Sequence, residues 1–411
     1  MHQFAPLLGI VVLVGIAWAL SSDRKRFPWR IALVGIGLQL VVAGAFLSFP
    51  PLVAPVDALA RLVAGAIRQA DEGIRFVFGT ELVKPDGPWG FVFAVKVLPV
   101  IIFFAALMAV LYRLGIMPRI VSAMAWLLHR TLGVSGEEAL VAASNVFVGQ
   151  TEAPLCIKPY IAGLTSSQIM VLMTTGFATI AGSVLAAYVG MLGGPDADSQ
   201  ALFAKHLLTA SLMSAPAALV MARVMVPETQ PVASRPPRIA SESLGANVLD
   251  AAALGATDGL RLALNVAAML IAFVSLIALV NWPLQSLGTS LEEILGVVLW
   301  PFAWLMGAPE GQRVAVGGLL GTQVVATEFV AYVSLREAMA SGRIDQRTAQ
   351  VVTYALCGFC NLPSIAIQIG GLTALAPERR SDFVKFGPRA MVAGALACWS
   401  TACAAALFIE R

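Results

Sequence analysis

The sequence predicts an all-α polytopic membrane protein: eight transmembrane helices, two re-entrant hairpins and interfacial helices, arranged as an inverted repeat with broken helices. Three observations carry this. Of the 411 residues, 58% are hydrophobic and only 12% charged, about half the charged share of a soluble domain, and the mean hydropathy is +0.83. Apolar runs of about 20 residues, the length that crosses a bilayer as a helix, recur along the chain. Two further apolar regions are each split by a small polar group, at VGQTEAPL (148–155) and ATEFVAYV (326–333).

The expected spans, in order, are 4–20, 29–49, 90–112, 165–191, 201–226, 260–282, 347–375 and 387–408. The first resembles a signal peptide in length. Its n-region lacks Lys and Arg, and the basic cluster Arg24-Lys25-Arg26 follows the run, which retains it as a helix with its N-terminus outside. Arg113, Arg119 and Arg130, then Arg235 and Arg238, then the net-basic segment containing Arg379, Arg380, Lys385 and Arg389 fall on the cytoplasmic side. The connection over 50–89 is balanced to acidic, with Asp57, Asp71, Glu72, Glu81 and Asp86, and belongs outside, as does GGPDADSQ. Within it VDALARLVAGAIRQADEGIRFVFG is amphipathic and is expected to lie along the interface. This alternation puts both termini outside the cytoplasm.

Regions 134–160 and 309–336 are too short for two crossings, so each reads as a hairpin that enters and leaves on one side. The first opens to the cytoplasm and the second to the outside. Each is followed by a span interrupted at the same relative place, by GFATIAGS (176–183) and by GFCNLPS (358–364). Paired broken helices in units of opposite orientation point to a transporter site at the membrane midplane. The organisation expected is an N-terminal region over 1–89, a first repeat over 90–230, a linker over 231–259 and a second repeat over 260–411.

Irregular backbone at membrane depth is tolerated where it lines a wet cavity or is buried in protein. A carboxylate there costs several kcal/mol as an order of magnitude, so Glu152 and Glu328, in equivalent places of the two units, need a ligand or a partner. Asn361 and Ser364, one turn apart, can present an amide and a hydroxyl to the same cavity. Asn145, the Thr179 hydroxyl, and the backbone carbonyls near Val148 and at the Thr179–Ile180 break offer hard oxygens, which suit Na⁺ better than a transition metal. Lys158 is expected to snorkel to the cytoplasmic interface.

Other chemistries are disfavoured. A net charge of +3 gives no footing for nucleic acid. The five cysteines, Cys156, Cys357, Cys360, Cys398 and Cys403, all lie in apolar segments and imply no disulfide framework. Cys357 and Cys360 form a C-x-x-C without the βαβ context of a redox motif. An enzyme is not expected: no H-E-x-x-H or G-x-S-x-G is present, and His2, His129 and His206 have no nucleophile beside them in sequence.

VGQTEAPLCIKPYI, EFVAYVSL and CGFCNLPSIAIQIGG resemble the concentrative nucleoside transporter family over roughly residues 90–408. The resemblance implies a homotrimer in the lipid bilayer, each protomer carrying a nucleoside site and moving by elevator-type alternating access. It implies nucleobase contacts from the motif at Gly149, Gln150, Thr151 and Glu152, and ribose contacts from Glu328, Asn361 and Ser364. Apolar contacts would come from Val184 and Phe359, and a Na⁺ site from Asn145, Val148, Thr179 and Ile180. The second motif of the family reads Gly-x-Lys-x-x-x-Asn-Glu-Phe-Val-Ala, whereas this chain has Gln323 for the Lys and Thr327 for the Asn, and Asn-Phe-Ser-Ser has become Asn361-Leu362-Pro363-Ser364. The expected function is therefore sodium-driven nucleoside import. Proton coupling, a related or modified nucleoside, and a non-transporting gate-like receptor stay open as alternatives.

Overall fold

The computed structural model describes residues 4–83, 89, 92–231 and 245–410. Asp86, Arg235, Arg238 and His2 lie outside the described residues. The described chain is helical, with no strand. An N-terminal set comprises α1 (Ala5–Ala19), α2 (Trp29–Leu47), α3 (Pro50–Phe78) and the single turn α4 (Thr80–Val83). A first series follows: the short α5 (Phe93–Lys96), α6 (Leu98–Arg113), α7 (Ile116–Leu132), α8 (Gly136–Asn145), a 3-10 helix (Ala153–Gly163), α9 (Ser166–Phe177), α10 (Gly182–Gly193) and α11 (Ala197–Met225). A second series repeats the order with α12 (Val248–Ser286), α13 (Leu291–Leu305), α14 (Arg313–Val325), α15 (Glu328–Ala340), α16 (Gln346–Ala355), α17 (Leu362–Leu375) and α18 (Arg380–Ala406). In each series the leading helices run into a two-armed hairpin, then a helix broken in two, and a long closing helix.

Among the described residues, seven helices are long and apolar enough to cross a membrane. Six coincide with expected spans. The seventh is α3, expected from the sequence to lie along the interface; its N-terminal half is apolar while Arg68, Asp71, Glu72 and Arg75 crowd its second half. The remaining expected spans are the 15-residue α1 and the interrupted pair α16–α17. Two helices, α7 and α13, were not anticipated as elements. Each immediately precedes a hairpin, and α7 is amphipathic, with Met117, Val121, Ala125, Leu128 and Leu132 buried and Trp126 exposed.

Local chemistry sets the element ends. The first hairpin starts with a capping box, in which the Ser135 hydroxyl accepts from Glu138 N–H and the Glu138 carboxylate accepts from Ser135 N–H. The first broken helix starts with another, Thr165 and Gln168. These two starts are tied together, since Gln168 Nε2 donates to Ser135 Oγ at 3.0 Å. Arg223 near the end of α11 adds a buried ion pair to Glu138 at 2.7 Å and a bond to Ser167 Oγ at 3.1 Å. The second series has a lighter counterpart: Gln312, ahead of α14, exchanges hydrogen bonds with Asp345, the N-cap of α16. The root of each hairpin is thus fastened to the root of the broken helix that follows it.

Small residues set how closely the helices approach. Gly255 and Gly259 of α12 face Ala109 and Ala105 of α6, where a Cβ would come within 2.6 and 2.8 Å of the alanine methyls. Gly317 and Gly321 of α14 face Gly296 and Leu295 of α13 in the same way, so this G-x-x-x-G packs two helices closely. The core lies in the broken helices and their closing partners. The apolar windows of α9–α10, α11 and α18 are about nine-tenths buried, against 6% for α12. The site therefore sits inside the bundle, and α12 turns its apolar surface outward.

Candidate functional site

The two broken helices cross at their breaks. Phe359 N–H, in the α16–α17 break, donates to Thr179 O in the α9–α10 break at 3.3 Å. Cys360 Sγ donates to Phe177 O at 3.0 Å, and Cys398 Sγ of α18 lies 3.5 Å from Ala178 O. The carbonyls freed by the first break are thus met by groups from the second repeat. A Cβ at Gly358 would stand 2.7 Å from Phe177 O and 2.6 Å from Cys398 Sγ, which is why the crossing carries Gly358 between cysteines. Cys357, Cys360 and Cys398 are free thiols and serve as small packing groups with weak donors.

The hairpin tips reach this crossing from opposite ends of the chain order. At the first tip, Gly182 N–H of α10 donates to Phe147 O at 3.0 Å, which clips the tip to the restart of the broken helix. Glu152 folds back so that its carboxylate accepts from Gly149 N–H at 2.7 Å. Thr151 and Glu152 are exposed on the chain, whereas Gln150 is buried. The second tip is closed. Glu328 is 3% exposed and accepts two hydrogen bonds, from Tyr188 Oη at 2.9 Å and from Asn361 Nδ2 at 2.8 Å.

Helix starts organise the second tip. Thr327 is the N-cap of α15 and its hydroxyl accepts from Val330 N–H. Thr and Asn both cap helices, so the substitution noted at this position preserves that task. Asn361 is the N-cap of α17, its Oδ1 accepting from Ser364 N–H at 2.9 Å. Pro363 occupies the first turn of α17, where an N–H has no helical partner to lose. Gln323, in the place of the motif lysine, donates from Nε2 to Gly358 O at 3.0 Å and so supplies a neutral donor to the second break.

Several of the expected substrate residues lie on or beside α17. Asn361 and Ser364 lie on its inner face beside Glu328, and Gly371, two turns further on, faces Thr151. Val184 is buried on α10, one turn before Tyr188, and Phe359 is half-buried at the crossing. Phe329 of α15 packs edge-on and Tyr332 tilted against Tyr188, with ring centroids 4.7 and 4.3 Å from it. These aromatic rings close the Glu328 side of the site.

Of the expected cation residues, Asn145 and Thr179 both bond to Thr175. Asn145 is fully buried at the end of α8; its Nδ2 donates to Thr175 Oγ1 at 3.1 Å, and its Oδ1 has no hydrogen-bond partner. An unpartnered buried carbonyl oxygen costs about 1–3 kcal/mol, and a hard cation is a fitting occupant. The Thr179 hydroxyl donates to Thr175 O at 2.8 Å, which leaves its lone pairs free to accept. Val148 follows Phe147, and Ile180 precedes Gly182 by two residues; Phe147 and Gly182 are the pair that clips the first tip to the restart of the broken helix.

Sequence reasoning missed Tyr188 and Gln368. Both were within reach of helical periodicity, one turn beyond Val184 and Ser364 respectively. It also missed the Arg223–Glu138 pair, whose partners are 85 residues apart. His206, deep in α11, bonds Tyr354 Oη at 3.0 Å and acts as a packing residue.

Comparisons with known proteins agree on one family. Sequence profiles described as Na⁺ dependent nucleoside transporter N-terminus and C-terminus match residues 8–81 and 206–406, and one described as nucleoside recognition matches 94–195. The chain is 41% identical to an uncharacterised transporter of Haemophilus influenzae, over 100% of this chain and 98% of that protein. It is 36% identical to the nucleoside permease NupC of Helicobacter pylori, over 98% and 97%. Sodium/nucleoside cotransporter 1 of Rattus norvegicus is 38% identical, but the chain spans only 64% of its length. Among solved structures, CNTnw in an inward-facing substrate-bound state matches with a TM-score of 0.93 at 38% identity, covering both chains fully. An outward-facing variant of CNTnw matches at 0.90 and 37% identity, over 99% of this chain and 98% of that one.

Proposed function

The chain belongs to the concentrative nucleoside transporter family, and from that premise we propose that it imports nucleosides by symport with Na⁺, through elevator-type alternating access. The single observation that supports this most is the pairing of an exposed first tip with a closed second tip around α17. Thr151 and Glu152 are open, whereas Glu328 is sealed behind Tyr188, Phe329 and Asn361. A site open on one side and shut on the other is what alternating access requires.

In this reading Gln150, Thr151 and Glu152 meet the nucleobase, with Val184 and Phe359 against its faces. Glu328, Asn361 and Ser364 meet the ribose hydroxyls. A carboxylate suits a diol because it only accepts and each hydroxyl donates. Asn145, Val148, Thr179 and Ile180 take the sodium ion. Because the cation site shares the first tip and the first break with the base subsite, an ion there would stiffen the tip and favour nucleoside binding. Three protomers assemble in a bacterial inner membrane, each with its own site, the first hairpin re-entering from the cytoplasm, the second from outside, and both termini outside. The N-terminal region over 1–89 precedes the two repeats, 90–230 and 260–411, and the linker over 231–259 joins them, its last residues already helical in α12.

A second reading replaces Na⁺ with a proton. It is favoured by Gln323, because the second break then carries a neutral donor where the family motif has a cation. Uptake of radiolabelled uridine and adenosine into proteoliposomes separates the two. Accumulation under an inward sodium gradient, weakened in its sodium dependence by Asn145→Leu, is the expected result. Accumulation under a proton gradient alone would transfer the coupling to a carboxyl. Absence of uptake under either gradient would leave the nucleoside reading without support.

A further inference from the structure

Four residues after Ser364, on the same face of α17, stands Gln368, which is 1% exposed. Its Nε2 donates to Met173 O of α9 at 3.0 Å. A carbonyl only accepts, so this bond fixes which end of the amide is nitrogen. Gln368 Oε1 is then an acceptor aimed away from Met173, and it is buried with no donor. Gln150 Oε1, from the first hairpin tip, is also buried with no donor. The two side chains meet over Gly176, where a Cβ would overlap Gln368 Nε2 and lie 3.0 Å from Gln150 Cβ. Two glutamines from different repeats thus share the space a glycine leaves, each with an unsatisfied carbonyl oxygen.

We propose that Gln368 is a specificity-determining positioning residue, which sets the end of the Gln150 carboxamide that meets the nucleobase. Both oxygens lack a donor, and the Gln150 carboxamide can turn only one of its ends toward Gln368. A base that donates an N–H to Gln150 Oε1 satisfies the first oxygen and holds Gln150 with its Nε2 toward Gln368, whose Oε1 then gains a donor. A base that offers an acceptor at that point turns Gln150 around, and Gln368 Oε1 stays unpaired. Because Gln368 cannot flip without losing Met173, the preference is built into α17 and not only into the hairpin. Bases with a donor edge at this position are selected. The inference rests on the nucleoside reading and adds to it the chemistry of the base subsite.

Uridine and cytidine test it, since they share a ribose and ring size but exchange donor and acceptor at N3 and C4. Their kcat/KM values for uptake into proteoliposomes are expected to differ about tenfold or more in the unaltered chain, as one unsatisfied buried acceptor costs that much. Gln368→Met should bring the ratio near one. Gln368→Glu, whose acid form offers the same donor and acceptor, should keep it. The ratio of uridine to 2′-deoxyuridine, which reads the ribose subsite, should stay constant in both variants. Should Gln368→Met fail to insert, Gly176→Ala forces the two glutamines apart and should give the same collapse of base selectivity. An unaltered chain that takes uridine and cytidine alike, a Gln368→Met that keeps the original ratio, or a loss common to all substrates would overturn the proposal. No uptake of any nucleoside by the unaltered chain would remove the underlying reading itself.

Discussion

Glu328 illustrates what one residue contributes. Its carboxylate is buried and held by two neutral donors, Tyr188 Oη and Asn361 Nδ2. Hydrogen bonds to a charged acceptor are worth about 1.5–3 kcal/mol each, so the pair offsets part of the burial cost without a basic partner. Glu328→Gln removes the charge and leaves one acceptor oxygen where two donors, Tyr188 Oη and Asn361 Nδ2, each had their own. Nucleoside uptake by that variant should fall by at least about tenfold while the protein still inserts and assembles. Tyr188→Phe removes one donor and leaves the carboxylate otherwise intact, so its loss should be smaller. Equal losses in the two variants, measured as uptake per inserted protein, would show that the carboxylate has no part beyond its bond to Tyr188.

At the scale of elements, the function depends on where helices stop. Asn361, Thr327, Ser135 and Thr165 each start a helix with a side-chain cap, and the first two do so beside Glu328. A break at membrane depth leaves orphan N–H and C=O groups, and the two breaks satisfy each other through Phe359 N–H and Thr179 O and through Cys360 and Phe177 O. This mutual satisfaction requires close approach, hence Gly358. Gly358→Ala puts a methyl within 2.7 Å of Phe177 O, and overpacking of this kind costs about 1–3 kcal/mol. Thermal unfolding in detergent should show a lower Tm for Gly358→Ala. An unchanged Tm would mean that the crossing is looser than these contacts require.

At the scale of the molecule, burial differs sharply from helix to helix. α9–α10, α11 and α18 are enclosed, while the leading helix α12 is almost entirely uncovered in the single chain. Leu264, Ile271, Leu279 and Trp282 are exposed along it. At 39 residues α12 is roughly 58 Å long, well beyond the roughly 30 Å hydrocarbon core, so it must tilt or extend past the bilayer. The homotrimer proposed for this chain would cover part of that face and leave the enclosed helices of each protomer to move. Cross-linking in membranes followed by mass determination should give a ladder ending at three copies. A ladder ending at two, or a monomer alone, would contradict that assembly.

The sequence by itself determined the helical membrane architecture, both hairpins, both breaks and the residues at their tips. These signals are local: apolar length, and polar or small residues where polarity is expensive. VGQTEAPL and ATEFVAYV were legible because a carboxylate in an apolar run has few explanations. The sequence also showed Gln323, Thr327 and Pro363 as departures without showing that Thr327 is a cap and that Pro363 sits where no N–H is needed. Tertiary structure alone decided the crossing of the two breaks, the Tyr188–Glu328–Asn361 group, the Arg223–Glu138 pair and the meeting of Gln150 with Gln368. Those contacts join residues 33 to 218 positions apart. Hydropathy and helical period describe one helix at a time, whereas which faces of different helices meet is set by packing, by the glycines that permit close approach, and by the need to satisfy every buried polar group.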